Sequence, residues 1–85
     1  MERSVKVKEI PESEMAAMID VVMQNHPSIY IKSHPIGAEP EISIELHLTT
    51  NSLSRETAEK ETQQAIEEIS ALIFKRGGKT EQYYT

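Results

Sequence analysis

The side chains best suited to bind a small anion lie in one short stretch, Lys32 to Gly37. This stretch reads Lys-Ser-His-Pro-Ile-Gly. An ammonium, a hydroxyl and an imidazole offer hydrogen-bond donors to an anionic group, and the proline and glycine favour a turn that would present them together. We therefore take Lys32, Ser33, His34 and Gly37 as candidate contacts to a ligand or to a neighbouring domain. Judged from the residues alone, a plain hairpin loop without a ligand is favoured over this contact.

Three histidines, His26, His34 and His47, are the residues most capable of binding a metal. The chain contains no cysteine, which excludes thiolate zinc sites, disulfide bonds and cysteine nucleophiles. Imidazole is a common metal ligand, but the spacing of the three histidines matches no local metal-binding signature. We expect His26 at a helix end, and His34 with His47 on one face of a sheet. Solvated histidines are therefore favoured, and we predict no bound metal.

No catalytic constellation is recognisable in the sequence. We find no serine near a plausible base, no pair of carboxylates confined to a cleft, and no glycine-rich loop that leads from a strand into a helix. The pair Gly77-Gly78 falls where a helix should end, which is the wrong end for a phosphate. We predict neither catalytic residues nor a bound cofactor.

The composition is that of a folded protein rather than a disordered one. The chain has 85 residues, of which 38% are hydrophobic and 27% are charged, and a formal net charge of −5. This length predicts a single domain, residues 1–85. No apolar run approaches the ~20 residues of a membrane span, and the N-terminus lacks a secretory signal, so we expect a cytoplasmic protein. The acidic balance disfavours nucleic acid as the main partner.

Two segments have the periodicity of amphipathic helices. The first should begin near Glu12 and Glu14, whose charges suit a helix N-terminus, and should end at Asn25, before Pro27. The second should run from Arg55 to Arg76, with Ser54 as its N-cap and Gly77-Gly78 as its stop. The residues that should face the core are Met15, Met18, Ile19 and Val22 in the first, and Ala58, Thr62, Ala65, Ile66, Ile69, Leu72 and Ile73 in the second.

Alternating apolar and polar residues predict four half-buried strands. They cover Val5 to Lys8, Ser28 to His34, Glu41 to Thr49, and Lys79 to Tyr84. The apolar sheet positions should be Val5, Val7, Ile29, Ile31, Ile42, Ile44, Leu46 and Leu48. The predicted fold is α+β, a two-layer sandwich in the order β-α-β-β-α-β. Such a ferredoxin-like fold has a four-stranded, mainly antiparallel sheet with two helices on one face.

The face of the sheet without helices should carry a polar set of side chains. These open-face residues are Lys6, Lys8, Tyr30, Lys32, His34, Glu45 and His47. RNA-binding domains of this topology stack bases on aromatic residues of the two central strands, and here those positions hold lysine, glutamate and histidine. A face that meets another domain or a second subunit is therefore favoured over a nucleic-acid platform.

The order of these residues resembles one known family. The strand Val7 to Ile10 and the following Pro11 to Met15 resemble the strand and G-x-x-E-S-x-L opening of the middle domain of CinA-type competence/damage-inducible proteins. Three further segments are similar to that domain's P-T-x-x-x-Y/K strand, its G-E-V-x-L-R-L-T-A strand and its long helix ending in Leu-Gly: Pro27 to Lys32, Glu41 to Thr49 and Glu56 to Gly77. The run Tyr-Ile-Lys-Ser-His-Pro is similar to the archaeal members, whose first domain looks like molybdopterin-binding proteins.

The resemblance implies an accessory role. In that family the nucleotide chemistry, hydrolysis of a pyrophosphate bond as in ADP-ribose, belongs to flanking domains, and the matched domain is a small connecting module described as KH-like. Pro11 and Glu12 replace the family's glycine-glutamate start, which puts any glycine-dependent contact in doubt. The chain would then be an excised segment or a stand-alone relative that contacts a neighbouring domain or a second subunit, near a nucleotide. Two alternatives are a small-ligand or regulatory binding domain, and a nucleic-acid binder that uses the open face.

Overall fold

The fold agrees with the predicted class. A computed structural model of the chain describes residues 2–37 and 43–83. The elements in chain order are β1 (Glu2–Lys8), α1 (Glu12–Asn25), β2 (Ile29–Ile36), β3 (Ser43–Thr50), α2 (Arg55–Lys75) and β4 (Lys79–Tyr83). The strands form one sheet in the order β2-β3-β1-β4, and each neighbouring pair is antiparallel. The predicted α+β, ferredoxin-like arrangement is confirmed.

The hydrophobic core lies between one face of the sheet and the two helices. Val5 pairs with Leu46 and Val7 with Ile44, so the apolar sides of the two central strands coincide. Because side chains alternate between faces along a strand, this register buries all four residues together. The predicted apolar sheet positions are buried, except that Ile42 lies outside the described residues. The predicted helix stripes are also confirmed, with Leu72 only partly buried at the margin of the core.

The two helices lie antiparallel on the sheet. Arg76, which follows α2, donates a hydrogen bond to Glu14 at the start of α1 with an N–O distance of 2.6 Å. At the other end of α1, the amide of Asn25 donates to Glu68 of α2 at 3.3 Å. These exposed links add little stability in water, so the apolar stripes hold the helices in place. No helix within the described ranges is long and apolar enough to cross a membrane.

The ends of α2 follow the predicted capping. The hydroxyl of Ser54 accepts a hydrogen bond from the backbone N–H of Thr57 at 3.4 Å. At the other end, Gly77 has a φ of +85° and donates to the carbonyl of Phe74, and Gly78 donates to the carbonyl of Ile73. These two bonds form a Schellman motif, which ends a helix by satisfying its last carbonyls.

Gly78 also lies against the core. A Cβ built on Gly78 would lie 2.7 Å from Ile10 Cδ1 and from Ile73 Cγ2, whereas a Cβ on Gly77 would meet nothing within 4 Å. The two glycines are therefore needed for different reasons. Gly77 supplies the left-handed backbone conformation, and Gly78 leaves room for the close approach of α2 and β4 to Ile10.

We expect Gly78→Ala to lower the free energy of unfolding by about 1–3 kcal/mol, the usual cost of overpacking a core. Chemical denaturation checks this value. The matched control is Gly77→Asn, since asparagine tolerates the left-handed conformation. We expect this control to cost less than Gly78→Ala, and equal losses in the two variants would contradict the steric role of Gly78.

Thr62 is a polar residue in the middle of the buried face of α2. Its side chain is fully buried, and its hydroxyl has no hydrogen-bond partner among the described residues. A buried hydroxyl without a partner costs free energy because it has lost its hydrogen bonds to water. The threonine methyl group, in contrast, packs like that of valine.

We expect Thr62→Val to raise the free energy of unfolding by about 1 kcal/mol, since it removes the hydroxyl and keeps the shape. Thr62→Ser is the matched control, because it keeps the hydroxyl and loses the methyl group, and it should destabilise the fold by a similar amount. Thermal and urea unfolding of both variants measure the two effects. A loss of stability in Thr62→Val would indicate that the hydroxyl makes a stabilising bond.

Candidate functional site

The open face of the sheet carries most of the side chains that could take part in binding or catalysis. Cross-strand pairing arranges them in three rows. The rows are Tyr30, Thr49 and Glu2; Lys32, His47 and Ser4; and His34, Glu45, Lys6 and Glu81. Basic, acidic and neutral groups are therefore mixed on this face. The six residues Lys6, Lys8, Tyr30, Lys32, His34 and His47 share this face, as the alternation predicted.

The interpretation of Lys32 to Gly37 as a loop is wrong. β2 continues to Ile36, which pairs with Ser43, and only Gly37 follows the strand, with a φ of +87°. β2 is an edge strand, where a proline such as Pro35 is tolerated because one side of the strand needs no partner. The prediction failed because proline and glycine are typical of turns, and the sequence does not show that this proline lies on an edge strand.

The extension of β2 separates the four residues of the proposed anion contact. Lys32 and His34 lie on the open face, opposite His47 and Glu45. Ser33 pairs with Leu46, a buried residue, and so lies on the side of the sheet that faces the helices. The structure therefore brings Lys32 and His34 onto one surface. It does not place Ser33 and Gly37 with them, so the four residues do not form one binding site.

A serine does lie beside a histidine, contrary to our expectation. Ser4 Oγ is 3.4 Å from His47 Nδ1, and His47 Nε2 is 2.8 Å from a carboxylate oxygen of Glu2. Ser4 is only 1% exposed, however. A nucleophile must reach its substrate, and this buried hydroxyl at the long limit of a hydrogen bond instead positions the imidazole. The sequence analysis missed the cluster because Ser4 and His47 are 43 residues apart and meet only through the pairing of β1 with β3.

The other two histidines also face carboxylates. His34 Nε2 is 3.0 Å from a carboxylate oxygen of Glu45 across the strand pair, on the open face. His26 lies at the end of α1, as expected, with its Nε2 3.6 Å from a carboxylate oxygen of Glu68. Each histidine therefore has its own acidic neighbour. Within residues 2–37 and 43–83, no three metal-ligating side chains converge on one point.

The contact between His47 and Glu2 changes the ionisation of the carboxylate. The hydrogen bond with His47, followed by the positive charge of that imidazole, lowers the pKa of Glu2 below its usual range. A lowered carboxylate pKa in the folded state contributes stability above the pKa of the unfolded chain. That contribution disappears as the pH falls through the pKa of the folded state.

We expect His47→Ala to raise the pKa of Glu2 towards that of an isolated glutamate, because the two largest causes of the shift are removed. An NMR titration of the side-chain carboxyl carbon measures this change. His34→Ala is the matched control, since it removes an imidazole that faces Glu45 rather than Glu2. If both variants leave the pKa of Glu2 unchanged, His47 does not cause the shift.

Three lysines surround a shallow depression at one corner of the open face. It has a volume of about 250 Å³, and its lining includes Lys6, Lys8 and Lys79. Lys8 and Lys79 lie directly opposite each other across β1 and β4, an arrangement that is unfavourable for like charges. Lys79 Nζ is 3.7 Å from a carboxylate oxygen of Glu9, and Glu81 lies opposite Lys6. The lysine corner therefore has local carboxylates that partly offset its charge.

No protein-family model matches the chain. The chain is 33% identical over 73 residues to a protein of Pyrobaculum calidifontis, a match that covers 85% of the chain and 28% of that relative. It is 34% identical over 73 residues to protein PAE0875 of Pyrobaculum aerophilum, with 85% and 27% covered. Protein TV0584 of Thermoplasma volcanium is 32% identical over 71 residues, with 82% and 28% covered. The chain thus spans little more than a quarter of the length of these archaeal relatives.

Solved structures share the fold at low sequence identity. The designed protein Foldit4 superimposes with a TM-score of 0.63 at 14% identity, over 99% of this chain and 93% of that one. The designed protein LFR1 1, which has a ferredoxin fold, gives a TM-score of 0.57 at 14% identity, over 98% and 81%. The alpha subunit of aIF2 from Pyrococcus abyssi gives 0.58 at 14% identity, over all of this chain and 33% of that one. These likenesses concern the fold alone.

Proposed function

We propose that this chain is an accessory module of a longer, cytoplasmic archaeal protein of the CinA-like, nucleotide-processing type. In this role it contacts a neighbouring domain or a second subunit and performs no catalysis itself. The observation that carries the proposal is the difference in coverage. The matches extend over 82–91% of the chain but over only 27–29% of the relatives, as expected for one module of a larger architecture.

The residues that resemble the CinA middle domain support the same role. Those that the structure describes lie mainly in β1 and the start of α1, in β2, in β3 and in α2, so the resemblance follows the order of the elements along the fold. In that family the module connects domains that carry the nucleotide chemistry. By analogy, the substrate of the whole protein would be a nucleotide with a pyrophosphate bond, held by the flanking domains.

The chemistry of the open face also suits a contact surface. The imidazoles of His34 and His47 are each held by a carboxylate, and Ser4 is buried beneath this polar layer. Side chains that are already paired keep a fixed geometry, so such a surface presents a defined pattern of charge to a partner. Tyr30, 58% exposed at the edge of the face, adds the type of aromatic residue that is enriched in interfaces.

A specific observation favours a second candidate function, the binding of a small anion. The direct opposition of Lys8 and Lys79 would be relieved by a phosphate or carboxylate bound between them. Nucleic-acid binding is less well supported, because the open-face positions of the central strands hold Lys6, Lys8, Glu45 and His47 rather than aromatic residues that stack bases.

We expect the isolated, purified 85-residue chain to leave ADP-ribose intact. Chromatographic detection of AMP measures turnover, and ¹H–¹⁵N NMR spectra record binding in the same samples. Hydrolysis by the pure chain would contradict the accessory role, and its loss in Ser4→Ala would then assign the activity to the Ser4–His47 cluster.

Shifts confined to Lys6, Lys8 and Lys79 that vanish in Lys8→Glu would support the second candidate. Salt-sensitive shifts with an oligonucleotide would support nucleic-acid binding.

A further inference from the structure

Leu53 is a large apolar residue whose exposure the local structure does not explain. It lies in the turn between β3 and α2 and has a relative exposure of 104%. It directly precedes the N-cap Ser54, the position from which an apolar side chain often packs against the fourth residue of the helix. That residue here is Ala58, which is buried. Since Leu53 is fully exposed, it does not cover Ala58. The leucine side chain therefore does not stabilise the start of the helix through this packing contact.

A depression beside Leu53 could receive a side chain of a partner. It has a volume of about 410 Å³ and is lined by Ser52, Leu53, Arg55 and Ala58. Arg55 Nε is 3.7 Å from a carboxylate oxygen of Glu59, so the rim combines an apolar side chain with an ion pair. A single exposed leucine is normal on a protein surface. Exposure alone therefore does not indicate a binding site, and the position of Leu53 in the fold has to be considered as well.

Strand register places both ends of the described chain near this turn. Glu2, the first residue of β1, pairs with Thr49 near the end of β3, and Ser4 pairs with Tyr83, the last residue of β4. Tyr30 also pairs with Thr49. The backbone N–H of Asn51 donates to the carbonyl of Ser28 at 3.3 Å, which ties the turn to the beginning of β2. The start of β1, the end of β4, Tyr30 and Leu53 therefore lie at one end of the sandwich.

The shared position of these two strand ends indicates where the rest of a longer polypeptide would connect to this module. The archaeal relatives are more than three times as long as the segment they share with this chain. Additional chain before β1 would enter at this end, and additional chain after β4 would leave from it. A flanking domain joined by a short linker would thus meet the same end of the sandwich from either side of the sequence.

We propose that Leu53 and Tyr30 anchor the contact between this module and a flanking domain of the same polypeptide. The proposal rests on the accessory role and names the surface and partner for it. Tyr30 lies where the open face reaches this end, so the contact surface would cover the end of the sandwich and the adjoining margin of the open face. The leucine would fill an apolar pocket of the flanking domain, and Arg55 would lie beside it at the rim.

A second exposed apolar surface provides the comparison. A groove of about 440 Å³ between the helices includes Met18, Val21 and Leu72, and Val21 is 47% exposed. Its lining also includes Arg76, which bonds to Glu14 at the start of α1. The start of α1 follows the end of β1, so the groove extends away from the end at which β1 begins. A flanking domain would reach Leu53 before it reached this groove.

The test compares hydrogen exchange in the 85-residue chain and in the natural polypeptide that contains it. We expect amides around Ser52 to Ser54 and Tyr30 to be protected in the longer polypeptide only. Leu53→Ser should raise their exchange rates about tenfold, the effect of losing one buried leucine, and Leu53→Met should retain the protection. Val21→Ser, which removes an apolar side chain from the groove, is the matched control and should leave these rates unchanged.

Three outcomes would overturn the proposal. One is protection of the amides of Lys32 to Ile36, or of those in the helix groove, instead of the amides around Leu53. The accessory role would then stand, but the contact surface would lie elsewhere on the module. Another is protection at Leu53 that depends on the concentration of the 85-residue chain alone, which would make a second copy the partner. The third is a natural polypeptide with no chain beyond this segment. Turnover of ADP-ribose by the isolated chain, in contrast, would remove the proposed function and leave these exchange results unaffected.

Discussion

The pairing of β1 with β3 is the interaction on which the rest of the structure depends. It places Val5 opposite Leu46 and Val7 opposite Ile44, and so makes a continuous apolar surface on which both helices pack. A shift of one residue in this register would turn the apolar side chains of one strand towards the open face. The core of an 85-residue domain is thin, so the free energy of burial strongly favours this single register. The positions of β2 and β4 follow from it, because each pairs with one of these two central strands.

The same register determines the chemistry of the opposite face. It brings Ser4 and Glu2 next to His47, and His34 next to Glu45. The first group has the residue types of a hydrolytic triad, but burial of the serine keeps a substrate away from the hydroxyl. The cluster therefore illustrates that residue identity and proximity do not make a nucleophile without access. A better physical description of this part of the face is a set of imidazoles and carboxylates that hold one another in fixed positions through hydrogen bonds.

The proposed accessory role connects the small size of the chain with the length of its relatives. A module that works between domains needs a stable core, an attachment end and a surface that a neighbour can recognise. In this fold the core is formed by strands and helices of ordinary composition, and the start of β1, the end of β4 and the exposed Leu53 meet at one end of the sandwich. The remaining surfaces, the open face and the helix groove, differ in character, since the first is polar and paired while the second is largely apolar.

The sequence by itself determined the order of the elements, their faces and the ends of the two helices. Periodicity identified both helices and their buried stripes, Ser54 and Gly77 marked the limits of α2, and alternation assigned the open-face residues correctly. Alternation reports which face a residue occupies, but it does not report which residue lies opposite. Four features were therefore decided only by the tertiary structure. They are the continuation of β2 through Pro35, the Ser4–His47–Glu2 cluster, the opposition of Lys8 and Lys79, and the position of the start of β1 and the end of β4 at the same end of the sandwich as Leu53. All four depend on strand register, which is set by burial of the whole core rather than by any local segment of the chain.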